Sequence, residues 1–399
     1  MTDLEDRLRH DLTQLSQRAQ PGFIRPLRVP PARSRPRASR WLAPAAAAVA
    51  VIGVITSVSL VSGPARPPAA GEGRVPPYYV VVQESFAGST GGFLDKAVIR
   101  DSATGRALAS IPLPGDAPVT ISGAADGRTF VITDGHQKNL YRMRLAADGR
   151  SARLSRLPIG VPNPPFDNLT LSPDGSTVAF QFQRCTFSGG SIVCRYSAIR
   201  LVSLRTGATR TWSTRAPAQL NSIWMSWDGN DHLLFSWAST GAPPVRRSGY
   251  WLLDVSGPGG NLLAARKLPL PPLPVIPGLP DPYESAFITP DGSAVIMSTF
   301  SATGPINSPT VVSTVVERSA RTGRLLRVLL RETSVGYGPG APGVPRAGCW
   351  IYSLGPTGVH ALVGCFSPGD TFGRLDNGQF TPLPGYPVPD PVALTDVAW

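Results

Sequence analysis

The sequence predicts an all-β protein: a six-bladed β-propeller closed by its C-terminal strand and preceded by one transmembrane helix and a short cytoplasmic tail. Three observations carry this expectation. From residue 78 onward, short alternating apolar runs are broken by Asp-Gly and Thr-Gly pairs, the pattern of strands joined by tight hairpins. The turns fall into two series whose members recur at spacings of about 44 to 63 residues, suiting one four-stranded blade with variable loops. Before them, Trp41 to Val61 holds 21 positions without a charge, about 31 Å of helix at about 1.5 Å per residue and enough to cross a bilayer core.

The tail comes first. Residues 1–40 carry nine Arg against four acids, a net +5 of the chain's +12, so +7 is spread over the other 359 positions. That dilution argues against a nucleic-acid surface despite the pI. Leu4, Leu8, Leu12 and Leu15 share a helical stripe, and Thr2 with Glu5 reads as a capping box. Residues 1–20 are therefore a candidate for a cytoplasmic partner or for lying on the membrane. Pro21 ends that helix, and the Pro/Arg-rich stretch to Arg40 cannot bury a core.

The span follows at 41–63. Arg33, Arg35, Arg37 and Arg40 precede it and only Arg66 and Arg74 follow closely, so the positive-inside rule places the N-terminus in the cytoplasm and the remainder outside a plasma membrane. Pro44 falls in the first turn, where its missing N–H is harmless. A buried core helix or a cleaved signal peptide are the alternatives, with cleavage near Ala69 or Ala70. Residues 64–77 are a Pro/Gly/Ala linker, and 78–399 are the extracytoplasmic propeller.

Within the propeller one unit recurs: an apolar run, Ser or Thr, a tight turn, then a second run. It appears around Asp126-Gly127, Asp174-Gly175, Asp228-Gly229 and Asp291-Gly292, with a degenerate copy at Thr357-Gly358. A second turn follows each copy at Asp148-Gly149, Thr206-Gly207, Gly259-Gly260, Thr322-Gly323 and Asn377-Gly378, and Thr104-Gly105 precedes them all. Glycine suits these positions because tight hairpins need a positive φ. Six turns of the second kind against five of the first leave one blade without its inner strand, and VALTDVAW (392–399) has that strand's character. It is expected to close the ring against the strand beginning at Tyr78.

The segments LSPDGSTVAF (171–180) and FITPDGSAVIMS (287–298) resemble the PD-type repeats of TolB-like and WD-type propellers. The resemblance covers roughly residues 78–399, implies the fold and says little about activity. The Trp-Asp pair closing WD-type repeats is missing, since Trp227-Asp228 falls in a first turn. The layout of basic tail, single span and exported propeller looks like that of actinobacterial membrane proteins of this type.

Four Cys form two close pairs, Cys185 with Cys194 and Cys349 with Cys365. Outside the cytoplasm these suit disulfides, the first across a hairpin and the second between neighbouring strands of one blade. No CxxC spacing is present, so no zinc site is expected. GxSxG, phosphate-loop and HExxH motifs do not occur. His10 belongs to the tail, while His136, His232 and His360 are read as lying in three blades at dissimilar positions, His360 as a partly exposed strand residue. Asp228, Asn230 and Asp231 read as a turn cluster rather than a calcium loop. Neither cofactor nor metal is expected.

With strands named a to d from the channel outward, the tight turns join a to b and c to d, leaving the other connections on the opposite face. The long ones are 86–96, 184–191, 238–250, 269–282 and 333–348. Long loops on a rigid scaffold are the usual place for binding, which makes Phe86, Phe93, His136, Phe187, Arg246, Arg247, Tyr283 and Tyr337 candidate contacts. The expected function is a non-catalytic binding or scaffold module for a protein, peptide or envelope ligand. The alternatives are a transmembrane sensor whose tail engages a regulator such as a sigma factor, and a propeller hydrolase or quinoprotein with carboxylates or His converging on the channel.

Overall fold

The computed structural model describes residues 75–87, 92–114, 120–134, 139–159, 168–188, 191–215, 219–220, 225–238, 249–271, 285–303, 310–335, 348–366, 371–383 and 397–399. Tail, span and most of the linker lie outside them. Among the described residues no helix is long and apolar enough to cross a membrane.

Blade 1 holds β1 (Tyr78–Ala87), β2 (Gly92–Asp101) and β3 (Ala107–Pro112). Blade 2 holds β4 (Ile121–Gly123), β5 (Thr129–Thr133), β6 (Leu140–Leu145) and β7 (Ala152–Arg156). Blade 3 holds β8 (Asn168–Leu171), β9 (Thr177–Ser188), β10 (Ser191–Ser203) and β11 (Thr209–Thr214). In blade 4 the inner strand is split into β12 (Gln219–Leu220) and β13 (Ser226–Asp228), both pairing with β14 (His232–Ala238), followed by β15 (Gly249–Asp254). The chain then makes β16 (Gly260–Asn261) and β17 (Arg266–Lys267). Blade 5 holds β18 (Ala286–Ile288), β19 (Ala294–Thr303), β20 (Thr310–Ser319) and β21 (Leu325–Val335), and blade 6 holds β22 (Gly348–Leu354), β23 (His360–Phe366), β24 (Thr371–Asp376) and β25 (Gln379–Pro382).

The last strand, β26 (Val397–Ala398), pairs antiparallel with β1, Val80 opposite Ala398 and Val81 opposite Val397. The sheet order β26-β1-β2-β3 makes the C-terminal strand the inner strand of blade 1, as the turn count predicts. Six apolar wedges then join consecutive blades around the circle, the last bringing Tyr79 and Val81 of blade 1 against Trp350, Tyr352 and Phe372 of blade 6. Alternation along each strand supplies this, because both faces of every blade are covered by a neighbour.

Hydroxyl groups on the inner strands add directed links between blades. Ser122 Oγ accepts the Leu171 N–H at 2.9 Å, Ser226 Oγ the Ile288 N–H at 2.9 Å and Ser353 Oγ the Trp399 N–H at 3.3 Å. The three serines are equivalent by register, each opposite the third residue of its b strand: Val131, Leu234 and Leu362. They stitch blade 2 to 3, 4 to 5 and 6 to 1. Ser285 Oγ does the same for blades 5 and 6 through the Ile351 N–H.

The turn glycines behave as read from sequence, with φ between 54° and 72° at Gly105, Gly127, Gly175, Gly207, Gly229, Gly292, Gly323 and Gly358. Blade 4 departs from the pattern. Gly259-Gly260 is not a tight c-to-d turn, because β16 leaves its own blade and pairs in parallel with Trp212 and Ser213 of β11. This covers the outer edge of blade 3, which would otherwise present unpaired backbone groups. Gly259 is needed there, since a Cβ would lie 2.6 Å from the Thr211 carbonyl oxygen.

Candidate functional site

Two of the expected long loops are hairpin extensions instead. Strands β1 and β2 continue outward until Phe86 stands opposite Phe93, and β9 and β10 until Phe187 stands opposite Ile192. The Gly- and Ser-rich composition that reads as loop is confined to the tips. The side chains of Phe86, Phe93 and Phe187 lie outside the described set, as do His136, Arg246, Arg247, Tyr283 and Tyr337 entirely. Likewise β21 runs to Val335, shortening the loop expected from Thr333.

Cys349 and Cys365 are bonded between β22 and β23, directly opposite in register. The same register holds for Cys185 and Cys194 across β9 and β10, whose side chains are outside the description. Among the described residues no group of three or more His, Cys, Asp or Glu is placed to hold a metal.

The inner strands of all six blades enclose a central cavity of about 150 Å³. Its polar lining comes from Ser122, Asn168, Thr170, Ser226 and Ser353, its apolar lining from residues such as Met225, Trp227, Phe287 and Trp399. No Asp, Glu, His, Lys, Arg or Cys is among the described residues that line it. Three of those hydroxyls are the inter-blade acceptors described above, so they act in holding the ring.

The two described histidines occupy the same position, against the sequence reading. His232 opens β14 opposite Asp254, and His360 opens β23 opposite Asp376. Nor is His360 partly exposed: it is buried at 7% exposure beneath Trp399, whose ring meets it edge-on at 6.4 Å. Its Nδ1 lies 2.7 Å from Asp376 Oδ1, and Arg374 Nε donates to the other oxygen at 2.6 Å. Arg374 also donates to the Ser102 carbonyl, while Trp399 Nε1 donates to the Ser102 hydroxyl. The group therefore fastens blade 6, blade 1 and the closing strand into one seam. What sequence could not show is that residues 297 positions apart meet here.

His232 is the open counterpart. It borders a cavity of about 400 Å³ between blades 3 and 4, with Trp212, Asp254, Asn261 and Arg266. Its Nδ1 is 3.6 Å from Asp228 Oδ2. Burial pushes the Asp228 carboxyl above its ordinary range, with Asp291 and Asp231 adding to the rise and His232 and Arg266 opposing it. Asp126 and Asp174 behave oppositely. Partial burial pushes each up, but bonds from Thr129 and Arg128, and from Ser172 and Ser176, outweigh it and hold both carboxyls low. Asn230 accepts the Asp174 N–H at 3.3 Å, tying the turns of blades 3 and 4 together.

No protein family's sequence profile matches the chain, and no curated protein matches it in sequence. Among solved structures it is similar to TolB from Acinetobacter baumannii, at 13% identity over 88% of this chain and 71% of that one, with a TM-score of 0.45. A functionally unknown protein from Desulfotomaculum acetoxidans is similar at 11% identity over 80% and 98%, with a TM-score of 0.42. An oligogalacturonate lyase in complex with manganese is similar at 12% identity over 77% and 78%, with a TM-score of 0.38.

Proposed function

We propose that the chain is a membrane-anchored, extracytoplasmic propeller that binds a ligand without transforming it. The observation that carries this reading is the use made of the channel, the usual focus of a propeller's chemistry. Its hydroxyls at Ser122, Ser226 and Ser353 accept backbone N–H groups of the next blade, and the rest of its described lining is uncharged. General acid–base work needs a titratable group within reach of the substrate; the buried His360 is enclosed in the seam, and the open His232 borders the cavity between blades 3 and 4, not the channel. The uncharged 41–61 stretch and the arginine bias around it support the anchor.

Two measurements test the two parts. A reporter active only outside the cytoplasm should work when fused after Trp399 and fail at Ala32; the reverse pattern refutes the anchor and its orientation. Photo-crosslinking residues at the hairpin tips, at positions 89 and 190, should capture a discrete partner in intact cells. Turnover of a captured small molecule by the purified chain, abolished by a channel substitution such as Ser226→Ala, would refute the non-catalytic reading.

A further inference from the structure

The wedge between blades 2 and 3 carries a concentration of arginine. In β6, Arg142 and Arg144 lie on the face that carries Leu140, and Arg153 of β7 is directly opposite Arg144. That face looks toward blade 3, because Val131, opposite Arg142, packs with Leu140, Leu157, Phe180 and Phe182 in the wedge between the two blades. From the other wall Arg200 stands opposite Phe180 in register, its guanidinium 5.1 Å from the Phe182 ring centre. Thr211 and Ser155 add hydroxyls beside Arg200 and Arg142.

Like charges directly opposite one another destabilise a sheet, and Arg144 with Arg153 is such a pair. No Asp or Glu of these strands occupies a position facing the wedge. The nearby carboxylate of Asp126 already accepts the N–H groups of Arg128 and Thr129 and the Thr129 hydroxyl. Arg142 Nε is buried without a hydrogen-bond partner among the described atoms, and Arg144 and Arg153 are exposed. A buried guanidinium donor lacking an acceptor is costly, and an anion in the wedge would supply that acceptor while relieving the Arg144–Arg153 repulsion.

We infer that the wedge between blades 2 and 3 binds a phosphate-bearing polyanion through Arg142, Arg144, Arg153 and Arg200. Guanidinium forks match phosphate oxygens bidentately. Arginines spread over neighbouring strands and two blades suit a chain of anions better than one compact ion. This deepens the binding reading by naming a ligand class, and it requires neither the anchor nor the hairpin tips to act in binding.

The test uses the full chain in neutral detergent, titrated with short-chain polyphosphate, with polyglutamate of matched length, and with a short-chain phosphatidylglycerol against phosphatidylcholine. Polyphosphate should bind, and Arg144→Gln with Arg153→Gln should weaken it at least tenfold and reduce the log–log salt slope by roughly 1.5. Arg321→Gln with Arg324→Gln, exposed arginines of blade 5, should leave binding unchanged. The melting temperature of the blade 2 variant should not fall, since it removes a repulsive pair. Phosphatidylglycerol binding lost in the same variant identifies a lipid headgroup as the phosphate source, and its absence beside polyphosphate binding identifies a polymer. Equal affinity for polyglutamate, or affinity for polyphosphate unchanged by the blade 2 substitutions, overturns the proposal. Failure of the topology or crosslinking experiments would leave this titration standing.

Discussion

Trp399→Ala is the perturbation that most directly interrogates ring closure. Trp399 is 3% exposed, its N–H and Nε1 donate to Ser353 and Ser102, and its ring covers His360. Gly355 is pressed against the same ring, and Gly123 faces the Trp399 carbonyl so closely that a Cβ would sit 1.7 Å from the oxygen. Truncating a fully packed tryptophan typically costs about 3–5 kcal/mol. Trp399→Phe keeps much of the packing and loses the indole bond, leaving the Ser102 hydroxyl without that donor, for about 1 kcal/mol. At roughly 2 °C per kcal/mol for a domain of this size, Trp399→Ala should lower the melting temperature by about 8 °C and Trp399→Phe by a fraction of that. Guanidinium unfolding followed by intrinsic fluorescence and by far-ultraviolet circular dichroism should show one coincident shift, since the closing strand joins two wedges. A Trp399→Ala loss below about 1 kcal/mol, or a change confined to fluorescence, would refute the reasoning that the ring depends on this seam.

Gly123→Ala should destabilise the same seam from the other side and reproduce the Trp399→Ala shift, because the clash is with backbone that cannot rotate away; a neutral outcome in thermal unfolding would contradict the close approach. Asp126→Ala should cost about 1 kcal/mol at neutral pH through lost turn bonds. Because the folded state holds this carboxyl below its ordinary range, that contribution is complete above about pH 4 and disappears as pH falls through the lowered value. Asp228→Asn should act with the opposite sign. Its carboxyl is raised, so ionisation burdens the folded state at neutral pH, and the variant's gain should vanish on acidification; urea midpoints across pH check both. Cys349→Ser with Cys365→Ser opens a bridge of sequence separation 16, and the chain-entropy estimate puts the loss at about 3 kcal/mol, measurable as a lowered denaturant midpoint.

The ring was legible in sequence because its turns demand particular residues. Asp126-Gly127 and Thr206-Gly207 announce themselves through the left-handed glycine and the capping oxygen, and counting them exposed the blade that had to borrow a strand. What escaped was whatever depends on register or on contact between distant segments. Phe86 to Phe93 reads as a loop because AGSTGG separates the two aromatics, yet the strands pair up to that tip. Gly259-Gly260 reads as a hairpin turn, although its strand pairs with a neighbouring blade. His360 reads as a partly exposed strand residue until Trp399 is folded over it. The wedge arginines had a signal in RMR (142–144), where alternate positions repeat one charge, but only register shows Arg144 meeting Arg153. The long-loop contacts rested on composition alone, which locates a loop without orienting its side chains.

Equivalent positions around the ring show how the fold divides its polar groups. The serine opposite the third b-strand residue recurs in blades 2, 4 and 6 and always accepts from the following blade, so hydroxyls facing the channel hold the ring together. The first b-strand residue is histidine in blades 4 and 6, facing an aspartate in both. In blade 6 the closing tryptophan and Arg374 enclose that pair, while in blade 4 the same pair borders an open cavity because β16 and its turn are diverted to blade 3. Closure therefore consumes polar chemistry at the axis and at the seam, where a ligand would have to compete with the bonds that keep the propeller shut. Farther out along the blades the sheets are already paired, and the arginines divide: Arg210 of β11 donates to the Val255 carbonyl of blade 4, whereas Arg144 and Arg153 are exposed. The arginines of blades 2 and 3 lie in that outer zone, where an anion can be taken up and released without opening the ring.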